Sequence, residues 1–331
     1  DQGLITGEGA GQGDVYFYAY DSKSPVDKWD SLPPLSESSD PTVETFFLFG
    51  LGSGLPGWSL AAGNSGELAI GAPGYSTKQL DPPVTSGIVL TFANGIAGIL
   101  MPDFSTYDTG SNIRFGSSLS FYKDTAMLAV GAPDHSSCTP FSGQLIDAVF
   151  GDWECENAGA VYLYENVNVA PSADINGLAI GEPLPANKIF KATNPQKDAQ
   201  FGHSVSWIEL PEGMAPTGYL EVGAPGEASC ASTSDGYIGD GSTASDTDCP
   251  GSGATYTFWD ASLNDLLLEG GVDPDTVKQG ISYSGVGYKL LGITIGAGGY
   301  GYSLASYTAK SAIGQAVGVP FANDNTGIVF P

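Results

Sequence analysis

Three Gly-Ala-Pro triplets, Gly71-Ala72-Pro73, Gly131-Ala132-Pro133 and Gly223-Ala224-Pro225, each close an apolar run and constrain this chain more than any other feature. The runs ahead of them match as well: Glu67-Leu68-Ala69-Ile70, Met127-Leu128-Ala129-Val130 and Tyr219-Leu220-Glu221-Val222. A second signal precedes each triplet, a Gly with a Ser two residues on and then an aliphatic residue. It reads Gly57-Trp58-Ser59-Leu60, Gly116-Ser117-Ser118-Leu119 and Gly202-His203-Ser204-Val205, with Phe115 and Phe201 in front of the last two. Tyr300-Gly301-Tyr302-Ser303-Leu304 with Gly318-Val319-Pro320 is a looser copy. Recurrence in one fixed order is the mark of a repeat architecture.

After each triplet the chain returns with a Gly and an alternating strand: Gly87-Ile88-Val89-Leu90, Gly159-Ala160-Val161-Tyr162, Gly253-Ala254-Thr255-Tyr256 and Gly327-Ile328-Val329-Phe330. The N-terminal residues fit the same frame, with Gly3-Leu4-Ile5-Thr6-Gly7 as second strand and Asp14-Val15-Tyr16-Phe17-Tyr18 as third. Fourth strands fall at Thr45-Phe46-Phe47-Leu48, Lys188-Ile189-Phe190 and Lys289-Leu290-Leu291. Each repeat thus holds four short strands, A to D. The repeats span roughly 1–50 (partial), 51–108, 109–194, 195–296 and 297–331 (partial).

A sheet of four short antiparallel strands, punctuated by Gly and Pro, cannot bury both faces alone. Radial packing covers each face with the next sheet, so the expected fold is an all-β β-propeller of four-stranded antiparallel blades. The Pro of the triplet suits the end of strand B, where no ladder donor is needed. Leu128, Val130, Val161, Leu163, Leu220 and Val222 are expected to lie buried between blades.

Phe115-Gly116-Ser117-Ser118, followed by Leu128-Ala129-Val130-Gly131-Ala132-Pro133 and Gly159-Ala160-Val161-Tyr162, resembles the FG-GAP repeat, which builds the head of integrin α subunits and lectin-like propellers. The likeness runs over nearly the whole chain and concerns architecture more than chemistry. It implies a seven-bladed ring, of which five repeats are visible here. The first repeat lacks strand A and the last lacks strand D, so further sequence, or a partner over the open edges, is expected.

Hydrophobic residues make up 41% of the 331, enough to pack a core in one large all-β domain. No apolar stretch approaches the length of a membrane span. Eleven Lys and Arg against 37 Asp and Glu give a formal charge of −26. Nucleic acid and anionic membranes are excluded as partners, because phosphate binding needs a basic footprint.

Four cysteines allow three pairings. Cys138 and Cys155 lie between strands B and C of the third repeat, and Cys230 and Cys249 lie in the same interval of the fourth. Local pairing, Cys138 with Cys155 and Cys230 with Cys249, staples two equivalent loops, each contributing roughly 3 kcal/mol if unstrained. Free thiols and a zinc site are the alternatives, although no Cys-x-x-Cys spacing is present. Disulfides place the protein in an oxidising compartment, secreted or on the cell surface.

In an alternating sheet the B–C and D–A loops leave one face, and the long segments 134–158 and 226–252 are both B–C loops. Phe141, Trp153, Tyr237, Asp235 and Asp240 are their candidate binding residues, since large loops on a rigid scaffold usually carry recognition. Related propellers hold calcium in A–B loops through a series of carboxylates. The equivalent segments here, at Gly63-Asn64-Ser65-Gly66, Lys123-Asp124-Thr125, Glu209 to Gly218 and Thr308-Ala309-Lys310, lack it. The remaining calcium candidates are Asp246 and Asp248 in one stapled loop, and Asp174, Asn176 and Glu182 in a fragment of a loop pattern. Solvated acidic loops explain both.

Catalysis has no comparable signal. His203 reads as a packed strand residue, His135 as the start of an exposed loop, and no nucleophile elbow or phosphate loop occurs. Two functions fit a non-catalytic extracellular propeller: an adhesion or assembly module binding another protein or a neighbouring copy, and, as the alternative, a lectin-like carbohydrate binder. The unequal B–C loops favour the first, because repeated sugar pockets need repeated loops.

Overall fold

β-Branched and aromatic residues alternate in short runs bounded by Gly and Pro, and these runs form strands in a computed structural model of the chain. The structure describes residues 18–21, 28–31, 57–64, 66–77, 84–93, 96–100, 113–122, 127–136, 155–165, 167, 186, 188–192, 196–209, 218–228, 237–238, 251–259, 286–291, 298–309, 312–321 and 327–330. No α-helix occurs among them.

At the N-terminal end β1 (Tyr18–Asp21) pairs with β2 (Lys28–Ser31) as an antiparallel ribbon. Of the strand expected at Asp14–Tyr18 only Tyr18 is among the described residues, where it opens β1, and β2 was not foreseen. The strands expected at Gly3–Gly7 and Thr45–Leu48 lie outside the described residues.

The second repeat contains β3 (Ser59–Ala62), β4 (Leu68–Ala72), the two-residue pair β5 (Ser76–Thr77) and β6 (Val84–Thr85), then β7 (Ile88–Ala93) and β8 (Ile96–Leu100). Its main sheet has the order β3-β4-β7-β8. The third repeat is β9 (Ser118–Tyr122), β10 (Met127–Ala132), β11 (Ala160–Tyr164) and β12 (Lys188–Phe190), again adjacent in chain order. In the fourth, β13 (Ser204–Glu209), β14 (Gly218–Ala224), β16 (Ala254–Trp259) and β17 (Val286–Leu291) repeat the meander, and β15 (Tyr237–Ile238) returns to pair outside β17. The fifth supplies β18 (Ser303–Ala309), β19 (Ala312–Val319) and β20 (Ile328–Phe330). Strands β4, β10 and β14 all end on the Ala of a Gly-Ala-Pro triplet, as a residue without an N–H donor requires.

These sheets stack face to face in chain order. Every residue of β10 is buried, although its neighbours point in opposite directions, because each face meets a different sheet. Leu128, Val130 and Ala132 join Ala69, Val89 and Leu100 of the second repeat in one core. Met127 and Ala129, with Val161 and Leu163 of β11, join Leu220, Val222 and Tyr256 of the fourth repeat in another. All six residues expected in the core are fully buried. Each buried Leu or Val contributes about 1.5–3 kcal/mol. Aromatic pairs lock the second layer: Phe190 meets Phe258 edge-on at 5.2 Å, and Tyr122 lies 4.8 Å from Trp207. The first strands of successive repeats form the inner line of the stack, β3 against β9, β9 against β13 and β13 against β18.

The recurring Gly and Ser build one joint three times. Ser59 Oγ donates to the Gly116 carbonyl at 2.7 Å, Ser118 Oγ to Gly202 O at 2.8 Å, and Ser204 Oγ to Gly301 O at 2.8 Å. The Ser of one Gly-x-Ser signal therefore holds the Gly of the next. A Cβ at Gly71, Gly131 or Gly223, the triplet glycines, would overlap that same carbonyl oxygen. The accepting glycines have φ of 89°, 88° and 88°, a region L-residues with side chains avoid. On the other side, Phe115 N donates to Ser86 O at 2.8 Å, Phe201 N to Ala158 O at 2.9 Å and Tyr300 N to Ser252 O at 3.0 Å. Each aromatic-Gly pair is thus clamped between strand B and the start of strand C of the preceding repeat.

The joint predicts an ordering of mutational costs. Ser118→Ala removes one hydrogen bond and should cost about 1 kcal/mol. Gly131→Ala forces backbone apart and should cost roughly 2 kcal/mol or more. Urea unfolding measures both, and a smaller loss for Gly131→Ala than for Ser118→Ala would contradict the joint.

Candidate functional site

Strand A begins two residues after the Gly of its signal, and strand B ends just before the triplet Pro. Antiparallel pairing of Ser118 with Gly131, Ser204 with Gly223 and Ser303 with Gly318 sets the Gly-x-Ser signal at the start of strand A beside the triplet at the end of strand B, and in repeat 5 Tyr302 there meets Phe321. One such position per repeat sits at the same end of the inner strands: Trp58, Ser117, His203 and Tyr302, with Asp134 and Phe321 as post-Pro residues of repeats 3 and 5. This is the end from which the B–C loops 134–158 and 226–252 depart.

The side chains form a row across repeats 3 to 5. Arg114 pairs with Asp134 through one hydrogen bond, a terminal nitrogen donating to Oδ1 at 2.9 Å, and an ionic contact of Nε with Oδ2 at 2.5 Å. His203 lies beside this pair, and its ring centroid is 4.3 Å from that of Tyr302. Its Nδ1 stands 3.0 Å from the Tyr302 carbonyl, so Nδ1 carries the hydrogen and donates. Tyr302 in turn meets Phe321 edge-on at 5.7 Å. Tyr302 is 41% exposed and Phe321 50%, so both offer ring surface to solvent.

Burial lowers the pKa of His203, and the nearby Arg114 charge adds to this, while the bond to Tyr302 O and the Asp134 charge oppose it. The imidazole is neutral near pH 7, with Nε2 as an acceptor. The row combines a neutral imidazole, two exposed rings and an ion pair that cancels itself.

His203 was expected as a packed strand residue, and it is partly buried against Tyr302 just ahead of β13. His135 corrects the sequence reading. It is buried, not the start of an exposed loop, with its ring 6.2 Å from Tyr162, and burial lowers its pKa to about 3. Its carbonyl accepts from Gly159 N at 2.8 Å, as Tyr75 O accepts from Gly87 N and Glu227 O from Gly253 N. The position four residues after the triplet Gly is thus a structural one in three repeats. Glu227, missed in the sequence, is buried there and accepts a 2.5 Å bond from Tyr256 Oη.

A second buried carboxyl was also missed. Glu221 stands where β4 has Ala69 and β10 has Ala129, on the face of β14 opposite Leu220 and Val222 and toward repeat 5. That seam is polar: Ser206, paired across the sheet with Glu221, meets Ser306 Oγ at 2.8 Å. Burial pushes the Glu221 pKa up to about 8.

Of the candidate loop residues, Tyr237 opens β15 opposite Leu290, at the outer edge of its sheet. Phe141, Trp153, Asp235, Asp240, Asp246, Asp248, Asp174, Asn176 and Glu182 lie outside the described residues, as do Cys138, Cys230 and Cys249. Cys155 is buried and disulfide-bonded, and its partner is likewise outside them. Two of the A–B connections are short. Gly63 N donates to Glu67 O at 2.8 Å in a tight turn, and pairing of Ala309 with Ala312 leaves two linking residues between β18 and β19. No family model matches the chain, and no curated protein matches it.

His135 and Glu221, whose pKa values burial shifts in opposite directions, set opposite pH limits. His135 binds its proton more weakly folded (about 3) than unfolded (6.5), so its contribution is lost as pH falls below 6.5. Glu221 binds its proton more tightly folded (about 8) than unfolded (4.5), so stability is lost as pH rises from 4.5 to 8. Glu221→Gln should flatten the alkaline loss in urea titrations at pH 5 to 9 and leave the acid limb intact. An unchanged alkaline slope in that variant would place the carboxyl in water.

Proposed function

We propose that the stacked sheets are blades of an FG-GAP-type β-propeller and that the protein is an extracellular adhesion or assembly module. Its long-loop face, with the row around His203, Tyr302 and Phe321 at the base of the loops, binds another protein. The single observation that carries this reading is the exposed aromatic pair Tyr302 and Phe321 set against an internally neutralised Arg114–Asp134 pair. Exposed rings beside a satisfied Arg are the composition of a protein-binding centre, where Tyr and Arg concentrate the energy.

The architecture is supported by the line of inner strands, the face-to-face cores and the thrice-built joint, all features that radial packing of like sheets requires. Extracellular location is supported by the disulfide at Cys155, since such bonds persist in oxidising compartments. Its proposed partner is Cys138, with Cys230 and Cys249 forming the equivalent staple. Non-reducing peptide mapping should recover those two pairs, and cross-pairing between the loops would refute the equivalence of the two staples.

A Tyr302→Ala/Phe321→Ala variant tests the site. Affinity capture from the extracellular fraction of the source, with wild type and variant side by side, should yield a protein partner that the double variant loses. If instead a glycan array binds the wild type, and the variant loses that signal, the lectin-like reading takes its place.

A further inference from the structure

Successive sheets of this stack meet chiefly through apolar side chains. Toward the following sheet β10 presents Ala129, flanked on its neighbouring strands by Ser120 and Leu163. The fourth repeat answers with the cross-strand pair Trp207 and Leu220, as the third answers Ala69 with Phe121 and Leu128. At the seam between repeats 4 and 5 the same positions change character together. There β14 presents Glu221, flanked by Ser206 and Thr257, and the answering pair is Ser306 and Gln315. One Ser from each side closes the gap, Ser206 Oγ lying 2.8 Å from Ser306 Oγ. Glu221 and Gln315 are the cross-strand partners of those two serines, so carboxyl and amide stand on the two sides of one seam.

The protein does not itself match these polar groups. Glu221 is 5% exposed, and its Oε2 is buried without a hydrogen-bond partner. Gln315 Nε2 is likewise buried and unpartnered. Strands β13, β14, β16, β18 and β19 carry no Lys, Arg or His. The titratable groups on the same side are Tyr219, on the carboxyl's own strand, and Tyr300, whose hydroxyl bonds the Thr255 side chain. A buried carboxylate without a counter-charge is costly until a cation completes its surroundings. The donors to hand are oxygens: the carboxylate, two serine hydroxyls and, with the Gln315 amide turned end for end, its Oε1. Oxygen donors select hard cations, and one carboxylate balances one positive charge.

We propose that the seam between repeats 4 and 5 holds a small monovalent cation such as sodium, ligated by Glu221, Ser206, Ser306 and Gln315, and that this ion ties β13 and β14 to β18 and β19. A divalent ion would leave one positive charge buried without a partner. The field of a chain of formal charge −26 concentrates cations around it and so favours loading. This site lies inside the stack and does not rest on the loop-face reading.

Urea unfolding in sodium chloride and in choline chloride of equal ionic strength tests this, because general screening is then the same and choline is too large to enter. Sodium ligates the ionised carboxyl, so it should offset the alkaline loss that Glu221, its pKa pushed up to about 8, otherwise imposes. At pH 9 the folding equilibrium constant should rise about tenfold for each tenfold of sodium above half-saturation. At pH 5, where the folded carboxyl keeps its proton, the two salts should agree. Glu221→Gln should abolish the difference at pH 9. Ser306→Ala, which keeps the charge and loses one ligand, should need about tenfold more sodium for the same gain. Equal stability in the two salts at pH 9 would overturn the site, water alone then filling the seam. A sodium preference that survives in Glu221→Gln, or is unchanged in Ser306→Ala, would overturn it by placing the ion elsewhere. A larger Glu221-dependent gain from millimolar calcium than from sodium would overturn the monovalent assignment.

Discussion

A backbone carbonyl held between a serine hydroxyl and a glycine Cα is the contact on which the rest of this structure depends. Side-chain packing between sheets tolerates exchange of Ala for Val or Leu for Phe. Carbonyl insertion does not, because any Cβ at Gly71, Gly131 or Gly223 would occupy the space of the oxygen. The joint therefore sets the distance between the inner strands of successive sheets. Apolar layers then fill the space between the sheets, with Ala69 in one layer and Ala129 beside large rings such as Phe190, Tyr256 and Phe258 in the other. A polar contact supplies the register and an apolar one supplies most of the energy.

The same joint places the candidate site. Because the inserting Gly begins each inner strand, the residue after it projects at the end of the stack whatever its identity. The scaffold thereby presents Trp58, Ser117, His203 and Tyr302 at equivalent points with no packing demand on their chemistry. Contact between His203 and Tyr302 spans repeats 4 and 5, so the row is ordered by the fold and varied by the sequence. That division is how loop and rim positions on repeat scaffolds acquire function.

Legibility in the sequence follows the same division. Gly-Ala-Pro and Gly-x-Ser could be read directly because backbone approach dictates those residues, and the strands next to them fell where expected. Strand β8 was not foreseen. It is an edge strand whose alternation Gly98 interrupts, and its only local signal is the hairpin dipeptide Asn94-Gly95. Glu221 was visible as a carboxyl in the place of Ala129, but its burial depends on a sheet 80 and more residues away. His135 follows an Asp and reads as loop, whereas the carbonyl it gives to Gly159 holds it inside. The row around His203 was the least legible part, since adjacency between repeats leaves no trace in local spacing. What the site binds lies further still from the sequence, because the fold makes no demand on those side chains.

Native-state hydrogen exchange at three amides tests the central claim most directly. Phe115, Phe201 and Tyr300 precede the inserted glycines and donate to carbonyls of the preceding repeat, outside any regular ladder. If the joints hold the stack together, these amides exchange only through global unfolding, as slowly as Val130 and Val222 in the centres of their sheets. Exchange at the rate of loop amides, with the strand centres still protected, would mean that the sheets are stable individually and that the joints do not bind them into one structure.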